Sequence, residues 1–132
     1  MNGQKDAAAL VGRILLAALF VTSGFSKLTD FAGTAGYIAS QGVPLPGVAT
    51  AISIVMELGG GLAILAGWMT RWVALAIAVF LIVITPIFHN YWSGEEAERM
   101  TNQIMFWKNV SILGGFLLLF AFGPGRYSVD KK

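Results

Sequence analysis

The chain has 132 residues, of which 56% are hydrophobic and 12% charged, whereas a soluble domain carries about 25% charged residues. That deficit, with a mean hydropathy of +0.71, excludes an ordinary soluble domain, and a net charge of +2 with scattered basic residues excludes a nucleic-acid footprint. The sequence has no cysteine, which rules out disulfides, thiolate metal sites and thiol redox chemistry within the chain.

Four apolar stretches, residues 7–26, 48–68, 72–88 and 104–122, approach the roughly 20 residues that carry a helix across a bilayer. They predict an all-α membrane protein: one domain over residues 1–132, built as a four-transmembrane-helix antiparallel bundle.

Arg13 interrupts the first stretch and no small-x-small cleavage site precedes Lys27, so this stretch reads as a span and not as a signal peptide. On a helix, Arg13, Ala17, Phe20, Gly24 and Lys27 fall on one stripe, which predicts that this face points into the bundle. Residues 30–40 are too short to span and mildly amphipathic, and are expected as a short interfacial helix in the first outward loop.

The second stretch carries Glu57, followed by Gly59, Gly60 and Gly61. An acidic residue at a span's centre costs about 2.5–3.5 kcal/mol, and each Leu, Ile, Val or Phe returns roughly 0.3–0.6. The apolar residues of this span barely offset Glu57, so the helix needs partners. Counting about 1.5 Å per residue puts Glu57 roughly 12 Å below the outer edge, Lys108 roughly 6 Å below it, His89 close to it, and Arg13 roughly 9 Å above the inner edge. Depth therefore favours Lys108 as the counter-ion of Glu57, with Arg13 second, since long basic side chains can snorkel. Such a pair either fixes bundle register or serves a ligand or proton, and the sequence leaves both open. Gly59, Ala63 and Gly67 form a small-residue row that, with Gly24, Gly60, Gly114 and Gly115, reads as helix packing.

Thr70 and Arg71 form a turn so short that the third span must lie antiparallel beside the second. Pro86 removes a backbone bond near that span's end. His89, the only histidine, reads as an interfacial residue beside Tyr91 and Trp92. One imidazole without thiolates or further histidines gives no metal site. The polar residues of the spans, Glu57, Lys108, His89, Arg13, Lys27 and Asn109, are the candidate ligand cluster.

Lys5, Arg71, Arg126, Lys131 and Lys132 against Lys27, Arg99 and Lys108 give a positive-inside bias that places both termini in the cytoplasm.

The segments "RILLAALFVTSGFSKL" (13–28), "ELGGGLAILAGWMTRWVALAIAVFLIVITPIFH" (57–89) and "KNVSILGGFLLLFAFGPGRYSVD" (108–130) resemble the three motif blocks of the DoxX family of small bacterial inner-membrane proteins. The family motif maps onto Arg13, Gly24, Lys27, Glu57, Gly60, Arg71, His89, Asn109, Gly123, Pro124, Gly125 and Asp130. The resemblance implies a four-helix inner-membrane protein, and it links the chain to thiosulfate-to-quinone oxidoreduction, terminal oxidase complexes and a complex for redox and thiol homeostasis. The chain lacks the larger partner region of catalytically associated members and any haem or flavin motif. The preferred reading is thus an accessory subunit of a membrane redox complex that binds a quinone or other lipophilic ligand in the bundle. The alternative is a quinone-linked oxidoreductase subunit, oxidising thiosulfate or quinol, with Glu57 or His89 in proton transfer. The expected partners are the lipid bilayer and redox proteins, with a homo-oligomer left open. A transporter is disfavoured by the lack of an internal repeat.

Overall fold

A computed structural model describes residues 2–131. All of its regular elements are helical: α1 (Asn2–Thr29), α2 (Phe31–Ser40), α3 (Pro46–Ile54), a π-helical turn (Val55–Gly59), α4 (Gly60–Ala66), α5 (Thr70–Phe88) and α6 (Glu96–Phe122). Four stretches are long and apolar enough to cross a membrane: Gly3–Thr29, Pro46–Ala66, Thr70–Phe88 and Glu96–Phe122. They match the four predicted spans, so the fold is the expected four-transmembrane-helix bundle. Most of the large apolar side chains that remain exposed, such as Leu15, Val55, Val79 and Leu118, sit on these spans, as befits helices solvated by lipid.

The centre is small and tightly filled. Ala17, Phe20, Ile64, Ala74, Ile77, Ala78, Leu81 and Phe116 are buried, and Phe20 meets Phe116 edge-on at 5.4 Å between ring centres. Arg13, Ala17 and Phe20 are all buried, so the inward stripe predicted for α1 is the face that packs.

The helix of the second span is not uniform. Residues Val55–Gly59 widen into a π turn, with the Gly60 amide reaching back to the Val55 carbonyl. A π turn adds a residue and rotates everything beyond it relative to a regular helix. This changes which small residues face a neighbour. The row expected through Gly59, Ala63 and Gly67 is replaced: a Cβ built on Gly59 meets nothing within 4 Å, while one on Gly61 would lie 2.9 Å from Val21 Cγ2. Between two spans, the closest approach at a glycine is at Gly24, where a Cβ would stand 2.5 Å from the Leu58 amide nitrogen, so only glycine admits α1 to this distance. Gly60 faces Ile77 of α5, Gly115 faces Leu16 of α1, and Gly114 meets nothing within 4 Å. Gly67 ends α4 in the left-handed region at φ 72°, where glycine closes a helix without strain. Its neighbours are Ser128 of the C-terminal segment and the guanidinium of Arg13.

The segment expected to be interfacial does form a helix, α2, capped by Asp30, whose side chain accepts from the Gly33 amide. It packs mainly on α3.

Candidate functional site

The register set by Gly24 against Leu58 decides the partner of Glu57. Lys27 lies three residues beyond Gly24 on the same stripe, about one turn along α1, and this brings its Nζ to 2.9 Å from Glu57 Oε1. Lys27 also donates to Ser23 Oγ at 2.9 Å. The expected pairing with Lys108 is therefore corrected. On α6, Lys108 precedes Asn109 by about 100° of rotation. Asn109 is buried and donates to Thr85 Oγ1 at 3.1 Å, which turns Lys108 to the exposed side, with its Nζ 3.3 Å from Met105 Sδ. Matching depths could not resolve this difference in azimuth. Lys27 stands near the end of α1, which runs to Thr29, and its long side chain reaches Glu57.

Arg13 is the other expected counter-ion that goes elsewhere. It is 1% exposed and about 21 Å along α1 from Lys27. Its guanidinium donates to the carbonyls of Pro124, at 3.0 Å, of Ile64 and Leu65, at 3.0 and 2.9 Å, and of Tyr127. Ile64 and Leu65 belong to the last turn of α4, whose carbonyls have no partner within the helix and carry the negative end of its dipole. The C-terminal segment completes this knot. Val129 and Asp130 donate backbone bonds to Ala66 and Gly67 at 3.0 and 2.9 Å, and the Asp130 carboxylate accepts from the Met69 and Thr70 amides at the start of α5 at 2.9 and 2.8 Å. Four directed carbonyl contacts suit a guanidinium fork. Arg13 is a structural clasp.

The opposite end of α1 carries the Lys27–Glu57 pair. The Lys27–Glu57 pair forms part of the wall of a cavity of about 570 Å³, bounded by the end of α1, α2, α3 with the π turn, and α5. Its polar wall is Ser23, Ser26, Lys27, Asp30, Thr34, Ser53, Glu57 and His89, and its apolar wall includes Ile38, Phe80, Ile84 and Phe88. Tyr37 of α2 stacks on Phe88 of α5, with 6.0 Å between ring centres and 26° between planes, and so bridges the cavity. A second, smaller space of about 140 Å³ is lined by the pair and His89 together with Lys108 and Asn109 of α6. Of the six candidates from the sequence, Glu57, Lys27 and His89 line both spaces, Lys108 and Asn109 line the smaller one, and Arg13 lines neither.

Glu57 lies in the middle of the π turn and is 5% exposed. Only Oε1 is engaged by Lys27; among the described residues nothing donates to Oε2. His89 caps the end of α5, and its Nδ1 is buried without a hydrogen-bond partner among the described residues. Burial pushes the imidazole below its usual range; a side-chain hydrogen bond with Asn102 opposes this and the charge of Lys108 adds to it. Beside it, Tyr91, Trp92, Phe106 and Trp107 form a chain of edge-on rings 5.4–5.6 Å apart. Sequence reasoning missed the contributions of Ser23, Ser53 and Tyr37. For the serines a signal existed: each precedes a charged partner of the ion pair by four residues, on the same helix face.

The sequence profile of the DoxX family matches residues 8–90, which takes in α1 to α5, the Lys27–Glu57 pair and His89. The chain is 45% identical over 131 residues to inner membrane protein YqjF of Escherichia coli, covering 99% of this chain and 95% of that protein. This chain belongs to the DoxX family. A second relative, E. coli inner membrane protein YphA, is 40% identical over 123 residues, covering 93% of this chain and 88% of its own length. A more distant one is the ER-derived vesicles protein ERV29 of Saccharomyces cerevisiae, 25% identical over 136 residues that make up 37% of that protein. No solved structure matches. This DoxX protein has four helices long and apolar enough to cross a membrane, and both bacterial relatives are named as inner membrane proteins.

Proposed function

We propose that this DoxX protein is a non-catalytic, accessory subunit of a membrane redox complex in the bacterial inner membrane, and that it holds a quinone or a similar lipophilic molecule in the cavity beside Lys27 and Glu57. The observation that carries this reading is the cavity itself. At about 570 Å³ it lies within the roughly 300–1,000 Å³ of small-molecule sites, which combine apolar walls with a few convergent polar groups. Phe80, Phe88 and Tyr37 offer faces to a flat ring, while Lys27, Glu57 and His89 offer hydrogen bonds to its oxygens. A quinone, when bound, would supply two-electron redox chemistry; the chain's own residues would bind and orient its head. The bilayer covers the outer faces of the spans, with both termini in the cytoplasm and α2 lying at the outer interface as a roof.

A second reading is favoured by one observation. The buried, unpartnered Nδ1 of His89 and the unengaged Oε2 of Glu57 are two proton-accepting atoms on one wall, as proton transfer during quinone chemistry requires. This reading makes the protein a quinone-linked oxidoreductase subunit.

The test is extraction into native nanodiscs followed by mass spectrometry of the retained small molecules, for the wild type and for Ser53→Trp, which fills the cavity. A lipophilic molecule that co-purifies near stoichiometrically with the wild type and is lost from Ser53→Trp is expected. Bulk phospholipid alone, the same in both, would contradict the proposal.

A further inference from the structure

We infer that the cavity selects ligands whose head group carries a hydroxyl donor, of phenol or hydroquinone type, over otherwise equal ligands that can only accept. This rests on the reading of the cavity as a ligand site and specifies what that site recognises. Three atoms carry it. Lys27 Nζ donates to Glu57 Oε1 and to Ser23 Oγ, each at 2.9 Å, so two of its three N–H bonds are committed. Glu57 Oε2 accepts from no described residue and is not one of the fully buried partnerless atoms, so on the wall of the cavity it is within reach of a donor from a ligand. A carboxylate held in an ion pair can only accept. The complement of Oε2 is thus an O–H or N–H, whereas a ketone or ether oxygen placed there would set lone pair against lone pair. His89 borders the same two spaces as Glu57, and its partnerless Nδ1 can accept or donate according to tautomer. It therefore adds a second contact without imposing a demand of its own. The third N–H of Lys27 can donate to an oxygen of either kind of ligand and Asp30, on the same wall, accepts from the Gly33 amide, so the preference for a donor is assigned to Glu57 beside Lys27.

For a redox-active pair this preference favours the reduced, dihydroxy form over the oxidised, diketo form. A site that binds the reduced form more tightly raises the potential of the bound couple, by linkage between binding and reduction.

The probes are para-heptylphenol and its methyl ether, which have the same ring and tail and differ in the donor hydrogen. Binding is measured on the full chain in nanodiscs by equilibrium dialysis. The phenol is expected to bind about tenfold more tightly, the worth of one hydrogen bond to a charged acceptor. This advantage should vanish in Glu57→Leu combined with Lys27→Met, which removes the acceptor without stranding the ammonium. If that variant does not fold, Glu57→Gln serves, since its neutral amide oxygen is a weaker acceptor and should reduce the advantage. Equal binding of both probes to the wild type would overturn the donor preference and leave the cavity reading standing. An advantage that persists undiminished in the variants would overturn the assignment to Glu57. If neither probe binds the wild type, the cavity reading itself fails and takes this inference with it.

Discussion

Lys27 Nζ lies 2.9 Å from Glu57 Oε1, and this contact ties the end of α1 to the π turn of the second span. The Lys27 side chain is 27% exposed and that of Glu57 7%, so breaking the pair strands the lysine partly within reach of polar surroundings. Glu57→Gln is expected to lower stability by about 2 kcal/mol, less than the roughly 3–5 kcal/mol of a fully buried pair. Adding Lys27→Met should recover most of that loss, while Lys108→Met should leave the melting temperature unchanged. Thermal unfolding in one detergent, across these variants and the wild type, reads all three.

At the other end of α1, Arg13→Lys keeps the charge but cannot reach the carbonyls of Pro124, Ile64, Leu65 and Tyr127 together. Each hydrogen bond from a charged group contributes about 1.5–3 kcal/mol. The variant is expected to lose more than about 3 kcal/mol, and the amides of Val129 and Asp130 should exchange hydrogen much faster. Unchanged protection at those amides would show that the C-terminal segment docks without Arg13.

The glycines divide by position. Gly24→Ala sets a Cβ 2.5 Å from the Leu58 nitrogen and should destabilise by about 1–3 kcal/mol, the cost of overpacking. Gly114→Ala meets nothing within 4 Å and should be neutral or stabilising, by up to about 1 kcal/mol through helix propensity. Melting temperatures of the two variants should move in opposite directions or leave Gly114→Ala unchanged.

For His89, the folded state favours the neutral imidazole because burial lowers its affinity for protons. The unfolded chain binds its proton near the ordinary value of 6.5, so below that pH the unfolded state carries more protons and stability falls. The folded protein is therefore expected to lose thermal stability progressively as pH drops below about 6.5, and His89→Gln should flatten that part of the profile. A wild-type profile that is flat from pH 7 to 5, about the ordinary imidazole range, would contradict the burial of His89.

Much of the fold was legible in the sequence. The spans followed from length and apolarity alone, and the inward stripe of α1 followed from helical spacing, because lipid leaves the polar residues no other place to go. The π turn was not legible. Neither periodicity nor propensity marks one, although the run Gly59–Gly60–Gly61 shows where a helix can widen, and the rotation it introduces moved the packing from Gly59 to Gly61. The partner of Glu57 was misjudged for a related reason: counting residues fixes depth but not azimuth, and the Gly24–Leu58 contact that sets the azimuth is a tertiary fact. Arg13 was placed rightly inside the bundle, yet its partners are backbone carbonyls, which every sequence has and none displays. The cavity depends on where α2 folds back, and only Tyr37 against Phe88 reveals it.

The most direct test of the account compares ligand retention with stability in the double variant Lys27→Met with Glu57→Gln. The quantity is the amount of non-phospholipid lipophilic molecule per protein, measured by mass spectrometry in native nanodiscs at a temperature where variant and wild type are equally folded. The expected result is a folded variant, restored close to the wild-type melting temperature, that has lost most of the co-purifying molecule. A folded variant that retains the molecule at the wild-type level would mean that Lys27 and Glu57 only balance each other's charge.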